Sequence, residues 1–483
     1  MSSDKKVLIK GVLWTAIGKY SGLLLGMVVT MVLARILKPE EFGTVALANV
    51  IISFLTLLSS MGIAPAIIQK NNLTQNDLNS IFTFTCIIGL GFAIAFFFSS
   101  WMVANFYNNM NIIPVCQILS VSLFFSTINM VPNALMSKHL RFKENARRTI
   151  FLHLIISPVS ILAAIKGAGI YALLISPVFT SIGIYLYNHH YYPVKITMPF
   201  QFVSIRKIIS YSTYQFFFQV TNFLTSNVDK LLMGKSLGSK ELGYYQMSNQ
   251  LIQIPAGNIT GVIYPVMHPI FTKYQNDKYT LITKYETIIK LLASCIFPFS
   301  TLLYFCGSEI IHIMYGPNWE YAVPAFKIMS IAIPALVILP VTGTFFQSCG
   351  EIRNLFQIGV INSFVAISSI AIACFVFRNL RAVAWAIVIY NYSSLLVTYL
   401  YMYVKVLHSS CYRFLSVFIL PFLGSIILGF IFYIESRLFS NNMISGIIIK
   451  SCSAIIFIVL YLQLTKQFSV WTYCKKYIRK LSK

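Results

Sequence analysis

A run of polar side chains recurs at helical spacing within a largely apolar stretch of the sequence. Six such residues follow one another at intervals of four, four, three, four and three: Tyr211, Gln215, Gln219, Asn222, Ser226 and Asp229. This spacing aligns them along one side of a helix. Each unsatisfied polar group facing lipid would cost several kcal/mol. We therefore expect this face to line a water-filled cavity, where amides and hydroxyls bind a hydrated ligand; close helix packing is the alternative.

The first apolar stretch carries a second polar stripe in the same register. Thr15, Lys19, Gly22 and Gly26 lie 200 residues before Gln215, Gln219, Asn222 and Ser226. An unpaired ammonium at the depth of Lys19 costs roughly 3 kcal/mol or more, which makes it a candidate for binding an anion. The alternatives are a lysine that reaches back to the membrane surface and glycines that serve helix packing. The stretches that follow add Asn49, Asn249 and Gln253 to the candidate cavity residues.

Two charged residues near the outer ends of these stretches are further candidates. Asp229 could bind a proton or sodium ion for energy coupling, and its alternative is an ion pair with Lys230 or Lys235. Arg35 places a cation at the outer mouth of the predicted cavity. The nine cysteines include no CxxC pair, and the seven histidines show no metal-binding spacing. With no catalytic triad and no phosphate-binding glycine loop, we expect neither an enzyme nor a bound metal or cofactor.

The elements that carry these residues are predicted to be membrane helices. Of 483 residues, 57% are hydrophobic and only 10% are charged, whereas about 25% is usual in soluble domains. Apolar runs of about 20 residues match the length that crosses a bilayer as a helix. We predict about fourteen spans with short connections: 11–34, 43–68, 80–104, 112–136, 148–168, 169–188, 208–232, 244–268, 285–306, 322–347, 355–377, 381–404, 412–434 and 443–465.

Lysines and arginines concentrate in the connections on the amino-terminal side, so both termini are predicted to be cytoplasmic. This topology, together with contact with anionic membrane lipids, explains most of the net charge of +24 without a nucleic-acid partner.

The sequence also contains a repeat at an offset of 200 residues. Residues 35–43 align with 235–243, and residues 35–65 hold seven identities in 31 positions with their counterparts, including Asn49 with Asn249 and Pro65 with Pro265. In the first of these turns we expect Pro39 to end one helix and Gly43 to open the next. The repeat predicts two parallel, pseudo-symmetric six-helix lobes, 1–206 and 207–407, around a central cavity, followed by two additional helices and a basic tail in 408–483.

Several segments resemble the polysaccharide biosynthesis and export family, which includes Wzx-type lipid-linked oligosaccharide flippases. The similar segments are Ala34–Leu37, Pro39–Gly43, Asn227–Gly234, Leu242–Tyr245 and Met314–Trp319. The family belongs to the superfamily of multidrug exporters and lipid II flippases. The resemblance implies translocation of an undecaprenyl-diphosphate-linked oligosaccharide across the bacterial inner membrane by alternating access. It also implies work alongside a polysaccharide polymerase. A cation-coupled multidrug exporter of the same superfamily is the alternative.

Overall fold

A computed structural model describes residues 3–60, 62–70, 72–197, 213–275, 277–407, 409–438 and 443–465. All regular structure in these ranges is helical. The α-helices are α1 (Ser3–Ile36), α2 (Pro39–Ser60), α3 (Ile63–Gln69), α4 (Gln75–Tyr107), α5 (Ile112–Ile128), α6 (Met130–Lys138), α7 (Phe142–Ile165), α8 (Ile170–Tyr191), α9 (Thr213–Ser236), α10 (Gly238–Lys273), α11 (Lys278–Phe305), α12 (Gly307–Tyr315), α13 (Val323–Ser330), α14 (Ile333–Ser348), α15 (Ile352–Ile372), α16 (Leu380–Tyr401), α17 (Cys411–Leu438) and α18 (Met443–Leu464). A 3₁₀-helix covers Pro317–Ala322, and π-helical turns cover Ala373–Phe377 and Met402–Val406.

These helices make the chain a multi-pass membrane protein. Among the described residues, ten single helices are long and apolar enough to cross a membrane, and two bent pairs bring the number to twelve. The other two predicted spans, 208–232 and 244–268, correspond to α9 and α10. Both are long enough to cross but fall outside the apolar set. The prediction of an all-α integral membrane fold is confirmed.

The two bent spans have proline near their breaks. Predicted span 112–136 is α5 followed by α6 at 41°, with Pro132 in the first turn of α6. Predicted span 322–347 breaks by 45° before α14, whose first turn holds Pro334. Proline removes a backbone N–H and crowds the preceding turn, so a straight helix is disfavoured at both places.

The chain forms two compact units, Met1–Gln246 and Met247–Lys483. The predicted lobe boundary at 206/207 lies outside the described residues, and the three-part division stays a prediction. In the first unit α1 packs on α7 through glycines: a Cβ on Gly18 would lie 3.0 Å from the Ala146 Cα, and one on Gly22 would lie 3.1 Å from the Thr149 Cγ2. Gly22 of the polar stripe therefore serves close helix packing, whereas a Cβ on Gly26 would meet nothing within 4 Å.

In the second unit, α17 packs along α11, and α18 contacts both. Leu428 and Phe432 of α17 and Ala454 of α18 form a small buried cluster against Phe305 at the end of α11. The two additional carboxy-terminal helices therefore dock on their own unit through apolar side chains.

Candidate functional site

The polar face predicted for the seventh span lies on α9. Gln219, Asn222 and Ser226 are exposed. Two further residues of the stripe are not covered: Tyr211 lies outside the described ranges, and the side chain of Gln215 is not described. Phe223 and Gly234 of the same helix contact α2 instead. The Phe223 ring lies 5.6 Å from the Phe54 ring, and Gly234 lies against Leu47. Thus α9 contacts α2 through Phe223 and Gly234 and leaves the amides of Gln219 and Asn222 exposed.

The remaining amide candidates divide between the two units. Asn49 is exposed on α2 of the first unit. In the second unit, Asn249 is half-buried and Gln253 is exposed, and the Gln253 Nε2 donates a long hydrogen bond of 3.5 Å to the Asn249 Oδ1. These two side chains stand one turn apart on α10, so one polar ligand could contact both.

The two cationic candidates are both exposed on α1. The Lys19 Nζ lies 6.0 Å from the centre of the Tyr20 ring and forms no ion pair within the described part of the chain. The close contacts of α1 with α7 involve Gly18 and Gly22, whereas the Lys19 side chain between them is exposed. Arg35 lies in the last turn of α1, at the end opposite to the amino terminus. The two cations are separated by 16 residues of one helix, about 24 Å along its axis, so they do not form a single cluster.

Asp229 lies in a buried position rather than on the exposed face. Only 8% of its surface is exposed, and it accepts a hydrogen bond at Oδ2 from the Tyr245 hydroxyl. Its Oδ1 is buried and accepts no hydrogen bond from the described residues. Lys230 donates instead to the Asn227 Oδ1 at 3.1 Å, and Lys235 donates to the Phe106 carbonyl at 2.5 Å. Neither lysine forms the alternative ion pair with Asp229 in the described structure.

The duplicated turns contact each other through their backbones. A Cβ on Gly43 would lie 1.7 Å from the Ser239 carbonyl oxygen, and one on Gly243 would lie 1.9 Å from the Pro39 carbonyl oxygen. Each contact converts into the other under the 200-residue offset, as in a self-complementary interface about a two-fold axis. The expectation that Pro39 stops a helix and Gly43 opens the next is wrong. Pro39 begins α2, where its missing N–H has no partner to lose, and Gly43 is buried inside that helix.

Asn109 joins the two turns and was not predicted from the sequence. Its Nδ2 donates to the Thr44 Oγ1 at 3.0 Å and to the Ser239 Oγ at 2.8 Å. Thr44 follows the first turn glycine, and Ser239 belongs to the second turn. An asparagine in a short connection has no sequence signal of its own, so only the fold reveals this role.

A second feature that the sequence reading missed is a buried ion pair. Lys450, two turns into α18, is 5% exposed, and its Nζ lies 2.8 Å from the Glu309 Oε1. A lysine within an apolar span is by itself a signal for a carboxylate partner. Applying that rule to the last span as well as to the first would have singled out Lys450.

Comparisons with known proteins agree with this architecture. A family model described as "Polysaccharide biosynthesis protein" matches residues 32–324, more than half of the chain. The chain is 24% identical over 356 residues to the teichuronic acid biosynthesis protein TuaB of Bacillus subtilis, covering 73% of each. It is 22% identical over 393 residues to the succinoglycan biosynthesis transport protein ExoT of Rhizobium meliloti, covering 80% of this chain and 78% of that protein.

A solved structure shares the fold. The lipid II flippase MurJ in its inward closed conformation superposes with a TM-score of 0.70 at 15% identity, covering 94% of this chain and 98% of that one. Helical architecture, span pattern and family match all agree, and the chain belongs to the polysaccharide biosynthesis protein family.

Proposed function

We propose that the protein is a flippase that moves an undecaprenyl-diphosphate-linked oligosaccharide across the bacterial inner membrane by alternating access. The observation that carries the proposal is the exposed amide face of α9, in a chain whose other helices are mostly apolar enough to cross a membrane. The relative ExoT is named a succinoglycan biosynthesis transport protein, and MurJ, which shares the fold, is named a lipid II flippase.

The chemistry of the exposed residues suits such a substrate. Amide side chains donate and accept hydrogen bonds, as sugar hydroxyls require. Cations neutralise a diphosphate that would otherwise be costly to carry past hydrocarbon. The polyprenyl tail would stay in lipid. The proposed substrate contacts are Lys19, Arg35, Asn49, Gln215, Gln219, Asn222, Asn249 and Gln253.

Energy coupling is assigned to Asp229 in this proposal. Its buried carboxylate has one oxygen without a hydrogen-bond donor among the described residues, and a proton or a sodium ion would satisfy that oxygen. The proposal needs no resident cofactor and no catalytic residue. In this proposal both termini lie in the cytoplasm, and a polysaccharide polymerase is the partner that consumes the flipped product.

The same buried carboxylate is the observation that favours a cation-coupled drug exporter as the second candidate. An exporter that binds cationic drugs is expected to carry acidic residues on its exposed polar faces. The exposed candidates on α1, α2 and α9 are instead cations and amides, and the chain carries a net charge of +24. The flippase is therefore the better supported function.

A deletion strain separates the two functions. If the protein is the flippase, loss of the gene removes the surface polysaccharide and makes its undecaprenyl-linked repeat unit accumulate on the cytoplasmic leaflet. Susceptibility to cationic drugs stays at the wild-type level. An intact polysaccharide together with a several-fold increase in drug susceptibility would support the exporter and contradict the flippase.

A further inference from the structure

A cavity of about 310 Å³ lies inside the second unit, among the ends of α11 and α17, the start of α18, and the short helices α12 and α13. Four charged side chains line it: Glu309, Lys327, Glu435 and Lys450. The predicted topology puts this end of the helices at the outer face of the membrane. Two lysines and two glutamates give the cavity a formal charge of zero.

Only half of that charge is paired. Lys450 and Glu309 form the buried ion pair described above. The Glu435 Oε1 accepts a hydrogen bond of 2.5 Å from Ser453, but its Oε2 is buried and accepts none from the described residues. Lys327 packs its stem over Gly307, where a Cβ would lie 2.7 Å from the lysine Cγ, and it forms no ion pair within the described ranges. The cavity thus presents one ammonium and one carboxylate oxygen to whatever fills it.

An apolar groove begins where the charged cavity ends. This groove of about 300 Å³ shares Phe305 with the cavity and continues along α11 to Phe297. The step of eight residues from Phe305 back to Phe297 spans about 12 Å along the helix, toward the middle of the membrane. Tyr304, Phe422 and Ile426 contribute to its walls, and Ile426 is 55% exposed on the outside of α17. A polar end and an apolar continuation are the shape of a lipid headgroup and its acyl chain.

We propose that this cavity and groove bind a zwitterionic glycerophospholipid from the outer leaflet, with phosphatidylethanolamine chemistry. Its phosphate pairs with Lys327, its ammonium pairs with Glu435, and one acyl chain lies in the groove beside Phe305. An anionic lipid such as phosphatidylglycerol satisfies Lys327 but leaves the Glu435 oxygen unpaired in a buried site, which is costly. The bound lipid would join the carboxy-terminal helix pair to the rest of its unit.

Native mass spectrometry of the purified full-length protein, mixed with phosphatidylethanolamine or phosphatidylglycerol, tests this proposal. The wild type should retain phosphatidylethanolamine at least fivefold more strongly than phosphatidylglycerol. Lys327→Gln should weaken retention of both lipids, whereas Glu435→Gln should remove the preference between them. Lys240→Gln and Glu40→Gln change exposed residues of the first unit and should leave retention unchanged.

Ile426→Trp provides a test that leaves every charge in place. The larger ring should fill the groove and weaken retention of phosphatidylethanolamine several-fold, and size-exclusion chromatography would verify that the variant is folded. Equal retention of the two lipids by the wild type would overturn the proposal. Wild-type retention in folded Lys327 and Glu435 variants would also overturn it, as would finding a polyprenyl diphosphate at this site in place of a phospholipid.

Discussion

At the scale of single residues, Asp229 is buried beside one hydroxyl donor and forms no salt bridge within the described ranges. Tyr245 satisfies Oδ2, and Oδ1 is left without a hydrogen bond from the described residues. A carboxylate in such a position is costly to keep charged. It therefore binds a proton or a cation more readily than an exposed carboxylate, which is a property that a coupling site needs.

Asp229→Asn should abolish the response of transport to an imposed proton or sodium gradient, because the amide can keep the hydrogen bond to Tyr245 but carries no negative charge and takes up no proton. Tyr245→Phe is the matched control: it removes the hydroxyl and leaves the carboxylate, so gradient-driven transport should persist at a reduced rate. Transport in proteoliposomes with and without each gradient measures both. Normal gradient response in Asp229→Asn would exclude this residue from coupling.

The two turn glycines differ from the other glycines in what surrounds them. A methyl group on Gly43 or Gly243 would overlap a carbonyl oxygen of the opposite turn, whereas nothing lies within 4 Å of a Cβ on Gly26. Gly43→Ala and Gly243→Ala should each lower the free energy of unfolding by about 2 kcal/mol or more, because backbone cannot move aside as a side chain can. Thermal unfolding in detergent measures this effect. Gly26→Ala, the control, should be neutral or up to about 1 kcal/mol stabilising. Equal behaviour of all three variants would contradict the close contact.

At the scale of helices, the additional pair α17 and α18 docks by a mixture of apolar packing and one buried charge pair. Leu428, Phe432 and Ala454 supply the apolar part, and Lys450 with Glu309 supplies the charged part. Removing one member of a buried pair leaves the other uncompensated, whereas replacing both by apolar groups can be neutral.

Lys450→Met should therefore destabilise the protein by roughly 3 kcal/mol, and Lys450→Met combined with Glu309→Leu should recover most of that loss. Thermal unfolding of the two variants in one detergent gives the comparison. Lys273→Met, which changes an exposed lysine at the end of α10, should have little effect. A double variant as unstable as the single one would show that the charge pair is not the cause.

At the scale of the whole molecule, apolar run length predicted the twelve spans that the described single helices and bent pairs provide, because bilayer thickness fixes the length of a crossing helix. The 200-residue repeat also predicted which segments correspond. The bends at Asn129 and Ile331 were not predicted, although Pro132 and Pro334 are present in the sequence, because prolines inside continuous helices, such as Pro298, look the same in sequence. The contacts of Asn109, Asp229 and Lys450 depend on which helices meet, and one sequence does not contain that information.

The most direct measurement of the central claim is flipping by the purified protein in liposomes. A labelled undecaprenyl-diphosphate oligosaccharide starts in the inner leaflet of the liposomes. A reagent that does not cross the membrane is added outside, and the fraction of label that it reaches is followed over time. Wild-type protein should expose the label, Lys19→Ala should slow exposure at least tenfold, and Lys10→Ala, which changes an exposed lysine at the start of the same helix, should match the wild type. If wild-type protein leaves the label as inaccessible as empty liposomes do, the flippase account is contradicted.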